Sequence, residues 1–287
     1  MSRTAVVGLA LATALPLLAG CGGAGATSSD GVQVVASFYP LQYAAQRVAG
    51  EHADVTSLTQ PGQEPHDLEL TFQQTAALAD ADVVVFESGL QPAVDDAVAQ
   101  SDPEHVVDAA DVTEGGDPHF WLDPTRLSDV AASVEQELSA ADPGNAAAYT
   151  DNLATLQDDL ARLDEEFRTG LASCARDTVV VSHDAFGYLG SRYGLDLHPI
   201  NGLSPDAEPS PAHLAELADL IASVGITTVF SETLASPELA DSLAADLGLT
   251  TGVLDPVEGL SDATADEDYL SLMRGNLAAL QKANDCT

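Results

Sequence analysis

The stretch TVVVSHDAFGYL (residues 178–189) predicts a buried β-strand that passes directly into a helix, and it has a counterpart in the N-terminal half of the chain. Val34-Val35-Ala36-Ser37 precedes Val179-Val180-Val181-Ser182 by 145 positions, and three further blocks recur at similar offsets. Those blocks pair Pro61, Glu64 and Pro65 with Pro205, Glu208 and Pro209, Val85, Phe86 and Leu90 with Val229, Phe230 and Leu234, and Leu122-Asp123-Pro124 with Leu254-Asp255-Pro256. Four blocks at such close offsets indicate an internal repeat, and therefore two lobes of one design.

Within each half of the chain, strand-like runs of β-branched residues alternate with stretches of helical periodicity. This alternation is typical of α/β lobes, in which a parallel-type sheet has flanking helices on both faces. Between the halves, apolar residues recur at spacings of three or four, which predicts one long helix. Its apolar stripe consists of Tyr149, Leu153, Leu156, Leu160, Leu163, Phe167 and Leu171. We expect an N-terminal lobe over 32–143, a rigid linking helix over 144–172 and a C-terminal lobe over 173–287.

The N-terminus has the pattern of an export signal. An apolar run from Ala5 to Leu18 is shorter than the roughly 20 residues that a spanning helix needs, and it suits a signal peptide over residues 1–20. The run ends in Leu18-Ala19-Gly20-Cys21, which resembles the bacterial lipobox, although an ordinary signal peptide with a chance cysteine is the alternative. We expect a lipidated Cys21 and a flexible tether over 21–31 to hold an exported protein on the outer face of the bacterial cell membrane.

Acidic residues dominate the charge of the chain. It has 46 Asp and Glu residues against 9 Lys and Arg residues, which gives a net charge of −37. Binding of nucleic acid requires a basic patch, so nucleic acid is excluded as a natural partner.

Two cysteines, Cys174 and Cys286, follow Cys21 in the sequence. An even pair in an exported chain favours a disulfide, because the compartment is oxidising; two free thiols are the alternative. The bridge would tie the end of the C-terminal helix to the start of the second lobe.

Three histidines and one aspartate could hold a divalent metal. They are His66 in EPHDLEL, His119 in DPHFWLDP, His183 in VVVSHDAFGYL and Asp255 in LDPVEGL. Three imidazoles and one carboxylate make a complete four-coordinate set for a borderline ion such as Zn²⁺. Each of them falls near the end of a predicted strand, where parallel sheets bind ligands. A metal held by all four would lie between the lobes.

These motifs, together with PGQEPHDLELT and the helix from Tyr149 to Leu171, resemble those of the metal-binding lipoproteins that serve ABC importers of zinc and manganese. The resemblance covers the chain from about Val32 to Cys286. It implies two α/β lobes joined by one long helix, a metal site between them, and the four residues above as its ligands. It also implies a protein that does no chemistry on the ion and delivers it to the permease and ATPase subunits of an importer. We expect it to be a monomer.

The third imidazole favours Zn²⁺ as the bound ion. Members of this family that look like manganese carriers tend to have an acidic residue where His183 stands, and nitrogen-rich ligand sets suit Zn²⁺ better than Mn²⁺. Many zinc-type members also carry a long His-rich loop before the second ligand, whereas this chain has only DVTEGGDPHF there. That departure leaves Mn²⁺ or Fe²⁺ as the alternative ion.

Three further residues are candidates for supporting the ligands. Glu232 in VFSETL could accept a proton from a ligand imidazole, as metal-bound histidines usually require, or could be a surface or capping carboxylate. Glu64 could contact the metal or orient the ring of His66. His198 ends a predicted strand just before a proline and could also lie behind the ligands.

Two other functions compete with metal transport. A zinc hydrolase would keep a coordination position open for water, and the chain has no HExxH pair, no GxSxG elbow and no Walker A loop. Because four protein ligands would close the site, we expect no enzyme activity. A metal-dependent surface adhesin stays open as a third function, since lipid-anchored surface proteins can bind host molecules.

Overall fold

The first lobe is built on one four-stranded parallel sheet in this computed structural model, which describes residues 31–112 and 116–287. Its strands are β1 (Val32–Ala36), β2 (Ala53–Ser57), β3 (Val83–Phe86) and β4 (Val106–Asp108). Its helices are α1 (Tyr39–Ala49), α2 (Phe72–Ala79), α3 (Pro92–Ser101) and α4 (Pro124–Ala141). The strands lie in the order β2-β1-β3-β4, and every pairing between them is parallel.

The second lobe has the same topology. After the long helix α5 (Ala146–Gly170), its strands are β5 (Thr178–Val181), β6 (Asp196–Pro199), β7 (Thr228–Ser231) and β8 (Thr250–Val253). Its helices are α6 (Gly187–Tyr193), α7 (Pro211–Val224), α8 (Glu238–Leu247) and α9 (Tyr269–Asn284). The parallel order β6-β5-β7-β8 matches that of the first sheet strand for strand. The predicted fold of two parallel-sheet α/β lobes with flanking helices is thus confirmed.

The inner strands β3 and β5 are rich in valine and fully buried, as expected where helices cover both faces of a parallel sheet. All four residues of β3 (VVVF) and all four of β5 (TVVV) are buried. Helix starts follow from capping residues: Thr71 accepts from the N–H of Gln74 ahead of α2, and Asp123 accepts from the N–H of Thr125 ahead of α4. These two caps fix the points at which α2 and α4 begin.

Helix α5 connects the lobes and has 25 residues, about 38 Å at 1.5 Å per residue. Its apolar stripe packs into one continuous core cluster that contains residues of both lobes, from Val34 in β1 to Val179 in β5. Asp164, on the same helix, binds the guanidinium of Arg192 in α6 through contacts of 2.9 Å to both Nε and one terminal nitrogen. The helix is thus held to the second lobe by apolar and ionic contacts together.

A disulfide joins Cys174, just after α5, to Cys286, just after α9. Among the described residues no helix has both the length and the apolar composition needed to cross a bilayer. The predicted signal peptide over 1–20, the predicted lipid attachment at Cys21 and the predicted tether up to residue 30 lie outside the described residues.

Candidate metal centre

Four buried or nearly buried side chains converge between the lobes. His66 lies in the loop after β2, His119 in the segment between β4 and α4, His183 two residues after β5, and Glu258 in the loop after β8. One donor atom from each lies within 4.8 Å of the others. Each lobe contributes two of these residues, all from segments that follow the carboxyl ends of parallel strands, where this architecture collects ligands.

The carboxylate of Glu258 is at the centre of the group. Its Oε1 lies 3.2 Å from Nε2 of His119, 3.4 Å from Nε2 of His183 and 3.5 Å from Nε2 of His66. The side chains of Glu258, His119 and His183 are completely buried, and the three Nε2 atoms and both oxygens of Glu258 make no well-formed hydrogen bond. Buried polar atoms without partners are costly, so four that face one another indicate a site for a cation.

Two further carboxylates face the outer nitrogens of the rings. Asp117 Oδ1 lies 2.8 Å from Nδ1 of His119, and Glu232 Oε2 lies 2.8 Å from Nδ1 of His183. A carboxylate on Nδ1 fixes the ring and directs Nε2 at the metal, which is the usual support of a metal-binding histidine. Glu232 thus lies directly behind the ring of His183. Asp117 was missed, although it stands only two residues before His119 in DPHF.

Charge in the site follows from burial and from these contacts. Burial lowers the pKa of His119, but Asp117 and Glu258 outweigh it and the pKa is raised. For His183, burial is outweighed by Glu232 and Glu258, which raise the pKa to about 10. Burial raises the pKa of Glu258, but the three imidazoles hold it well below its usual range. Without a metal, the buried carboxylate of Glu258 therefore lies beside a protonated His183 at neutral pH.

Asp255, expected from the sequence as the fourth ligand, lies outside this cluster, and Glu258 stands in its place. The carboxylate of Asp255 is engaged elsewhere: Oδ1 accepts from the N–H of Val257 at 2.7 Å and Oδ2 accepts from the hydroxyl of Thr233 at 2.5 Å. Asp123 in the matching LDP of the first lobe uses its carboxylate in the same way, on the N–H of Thr125 at 2.9 Å. Both aspartates stabilise the turn that follows them.

The other two candidates differ in their distance from the cluster. Glu64 accepts from the backbone N–H of His66 at 3.1 Å, and burial, with a smaller effect of Glu258, raises its pKa to about 8. It is therefore a neutral acid beside the site at neutral pH. His198, on β6, lies outside the group of four, and its Nε2 is 3.0 Å from Oδ2 of Asp196 on the same strand.

The donor set matches the chemistry of zinc. Three imidazole nitrogens and one carboxylate oxygen are four ligands of the types that Zn²⁺ prefers in tetrahedral sites. A set with three nitrogens suits Mn²⁺ less well, since that ion prefers oxygen ligands. With four protein donors buried between two lobes, the site can enclose an ion.

Comparison with known proteins agrees with this geometry. Residues 34–283 match the family model of ZnuA, described as the zinc-uptake complex component A, periplasmic. The zinc-binding lipoprotein AdcA of Streptococcus pneumoniae is 34% identical over 284 residues, which cover 90% of this chain and 57% of that protein. The chain thus spans little more than half the length of that relative.

One further relative and one solved domain match over nearly their whole length. The high-affinity zinc uptake system protein ZnuA of Bacillus subtilis is 32% identical, over 94% of this chain and 95% of that protein. The crystal structure of the Zn(II)-bound ZnuA-like domain of Streptococcus pneumoniae AdcA superposes with a TM-score of 0.78 at 34% identity, over 89% of this chain and 99% of that domain. With a family model that matches most of its length and relatives above 30% identity, the chain belongs to the ZnuA family of zinc-uptake component A proteins.

Proposed function

We propose that this protein captures one Zn²⁺ ion between its lobes and delivers it to the permease of an ABC importer. One observation carries the proposal: three imidazole nitrogens and one carboxylate oxygen converge within 4.8 Å, in a buried position, without satisfactory partners in the protein. His66, His119, His183 and Glu258 are the proposed ligands. Membership of a family of zinc-uptake components supports this cargo and this partner.

The same site argues against an enzyme. Catalytic zinc sites keep one coordination position open for water or substrate, whereas four protein donors complete a tetrahedral set here. We propose a binding protein that holds the ion unchanged.

The protein is proposed to act outside the cytoplasm as a monomer on a lipid anchor. The support for the anchor is the lipobox-like sequence Leu18-Ala19-Gly20-Cys21, which follows an apolar run of signal-peptide length. Mass spectrometry of the N-terminal peptide from membranes tests it, because a diacylglyceryl group on Cys21 adds a defined mass. Protein in the membrane fraction that still carries residues 1–20 would contradict the lipid anchor.

The test of the cargo is a competition between ions on the fragment 22–287. The protein is stripped of metal, and Zn²⁺ and Mn²⁺ are offered together at buffered free concentrations. We expect one Zn²⁺ per chain by native mass spectrometry, undisplaced by a hundredfold excess of Mn²⁺. Preferential loading of Mn²⁺ or Fe²⁺ would contradict zinc as the cargo, and the absence of tight binding of any of them would contradict transport itself.

Single substitutions test the ligand set. We expect His66→Ala, His119→Ala, His183→Ala and Glu258→Ala each to weaken Zn²⁺ binding by two orders of magnitude or more, since ligand number sets affinity. His198→Ala is the matched control, because its imidazole lies outside the group and pairs with Asp196. It should bind Zn²⁺ like the unaltered protein. A ligand variant that binds as tightly as this control would remove that residue from the set.

A further inference from the structure

The loop that carries Glu258 contains a backbone conformation that its residue does not favour. Val257 has a φ of +58°, in the left-handed region, where a β-branched side chain is rare. This residue is completely buried and directly precedes Glu258. A conformation of this kind persists only where the surrounding structure holds it, and such positions cluster at functional sites. The contacts that hold Val257 therefore also determine where the carboxylate of Glu258 points.

Asp255 supplies the first of these contacts. Its Oδ1 accepts from the N–H of Val257 at 2.7 Å, which closes the turn over Pro256. Its Oδ2 accepts from the hydroxyl of Thr233 at 2.5 Å, which ties the same carboxylate to the loop after β7. Both oxygens are thus used within the second lobe, and Asp255 is 6% exposed. The carboxylate therefore holds the turn and is not one of the donors that converge in the metal cluster.

Two side chains from outside this loop form hydrogen bonds with its backbone. Asn276 of α9 accepts from the N–H of Asp255 at 2.8 Å and donates to its carbonyl oxygen at 2.6 Å. Trp121 of the first lobe donates its Nε1–H to the carbonyl oxygen of Pro256 at 2.7 Å. Asn276 and Trp121 are themselves buried, at 2% and 0% exposure. The backbone that leads to Glu258 is therefore held by Asn276 of α9 and by Trp121 of the first lobe.

We propose that Asp255 is a positioning residue for Glu258: through the left-handed turn at Val257 it places the carboxylate among the three imidazoles, without itself touching the ion. This inference rests on the proposed function, with Glu258 as a zinc ligand. It assigns the aspartate of the LDPVEGL motif a role distinct from coordination. The equivalent Asp123 accepts from the N–H of Thr125 at the start of α4, and its Oδ1 also lies 3.7 Å from Nε of Arg192.

The proposal predicts a specific pattern of non-additive effects. Asp255→Ala should weaken Zn²⁺ binding about 10- to 100-fold, the usual cost of losing a residue that supports a metal ligand. In a Glu258→Ala background the same substitution should change the affinity less than about twofold, because a residue that acts through Glu258 has nothing left to position. Asp123→Ala is the matched control, and it should lower stability without weakening binding.

Three results keep this inference apart from the proposed function. If the unaltered protein fails to bind Zn²⁺ tightly, the proposed function fails and this inference with it. If the protein binds but Asp255→Ala leaves the affinity unchanged, only the positioning role is overturned. If Asp255→Ala weakens binding equally with and without Glu258, Asp255 acts independently, as a ligand would, and the inference is again wrong.

A spectroscopic readout and a milder variant complete the test. With Co²⁺ in place of Zn²⁺, the visible absorption reports the ligand set, and Asp255→Ala should alter it in the same way as Glu258→Ala. Where Asp255→Ala does not fold, Thr233→Val removes one donor to the carboxylate and keeps the side-chain shape. It should weaken Zn²⁺ binding by about 3- to 10-fold, and unchanged binding with an unchanged Co²⁺ spectrum would overturn the proposal.

Discussion

Glu87 and Glu232 occupy equivalent positions in the two lobes. Glu87 directly follows β3, Glu232 directly follows β7, and both side chains are buried. The side chain at the position of His183 differs between the lobes. Glu232 faces the ring of His183 at 2.8 Å, whereas Phe38 stands at the corresponding place after β1 in the first lobe. At this position, one scaffold thus carries a carboxylate–histidine pair in the second lobe, whereas the carboxylate of Glu87 in the first lobe has phenylalanine at the place of the histidine.

Replacing Glu232 tests whether this pair supports metal binding. Glu232→Gln keeps the shape of the side chain but removes the negative charge that faces Nδ1 of His183. We expect Zn²⁺ affinity to fall about 10- to 100-fold, because the imidazole becomes less basic and less well oriented. Competition with a chromophoric zinc chelator measures the change. An affinity within twofold of the unaltered protein would show that the contact is only structural.

The same substitution at Glu87 should act on stability instead. Burial, with a smaller effect of Asp108, raises the pKa of Glu87 to about 9. The folded protein therefore keeps a proton there that the unfolded chain loses above its ordinary pKa of 4.5, so this group costs stability as pH rises from 4.5 towards 9. Glu87→Gln should raise the melting temperature at pH 8 relative to the unaltered protein, with little gain at pH 4.

Two results would contradict that prediction. A melting temperature that falls at pH 8 would show that the carboxylate is charged and favourably bound. A gain of equal size at both pH values would show that the benefit comes from packing and not from the lost ionisation. Zn²⁺ affinity should change less than about threefold, which makes this variant the counterpart of Glu232→Gln.

The fold was predictable because its elements repeat and because burial restricts their composition. Strands covered on both faces require runs of β-branched residues, and those runs stand at nearly the same offset in both halves. The linking helix was equally visible, since one face is buried: Leu156, Leu160 and Leu163 all lie in the shared core. Its bounds in the structure, Ala146–Gly170, lie two residues inside the predicted 144–172 at each end.

The site was only partly predictable, because a ligand depends on side-chain direction as well as on residue type. The imidazoles of His66, His119 and His183 are rare groups at strand ends, so their residue type was sufficient. In LDPVEGL, by contrast, there are two carboxylates, and the structure brings Glu258, which follows the left-handed Val257, into the cluster in place of Asp255. A valine does not signal that conformation, which glycine usually supplies. The sequence repeat did offer an indication that Asp255 is not a ligand. It aligns Asp255 with Asp123, which stands before Pro124 where a helix cap is expected.

Zinc binding should release protons. In the metal-free protein Glu232 and Glu258, against the effect of burial, raise the pKa of His183 to about 10, and the pKa of His119 is raised as well. Because a metal replaces the proton on Nε2, affinity should increase as pH rises from 6 to 8, up to about tenfold per pH unit for each proton. Calorimetry at pH 7 in two buffers of different ionisation enthalpy counts the protons, and we expect one or two.

The stability of the metal-free protein should show the opposite dependence on pH. The raised pKa of His183 means that its contribution is complete below its unfolded pKa of 6.5 and is lost as pH rises towards 10. We therefore expect the melting temperature of the metal-free protein to fall as pH rises over this range, while Zn²⁺ binding becomes tighter. Binding without proton release at pH 7 would show that the imidazoles are neutral before the metal enters.

Reduction of the Cys174–Cys286 disulfide should lower stability and leave metal binding intact. The bridge closes a loop with a sequence separation of 112, for which the chain-entropy model predicts a contribution of about 4–5 kcal/mol to the free energy of unfolding. Cys174 precedes the amino end of β5, whereas His183 follows its carboxyl end, so the bridge and the metal cluster lie at opposite ends of the strand. Paired Cys174→Ser and Cys286→Ser substitutions, compared by denaturant unfolding and by Zn²⁺ titration, separate the two effects. Unchanged stability would contradict the structural role of the bridge, and Zn²⁺ affinity reduced more than about threefold would mean that the cross-link also determines the spacing of the ligands.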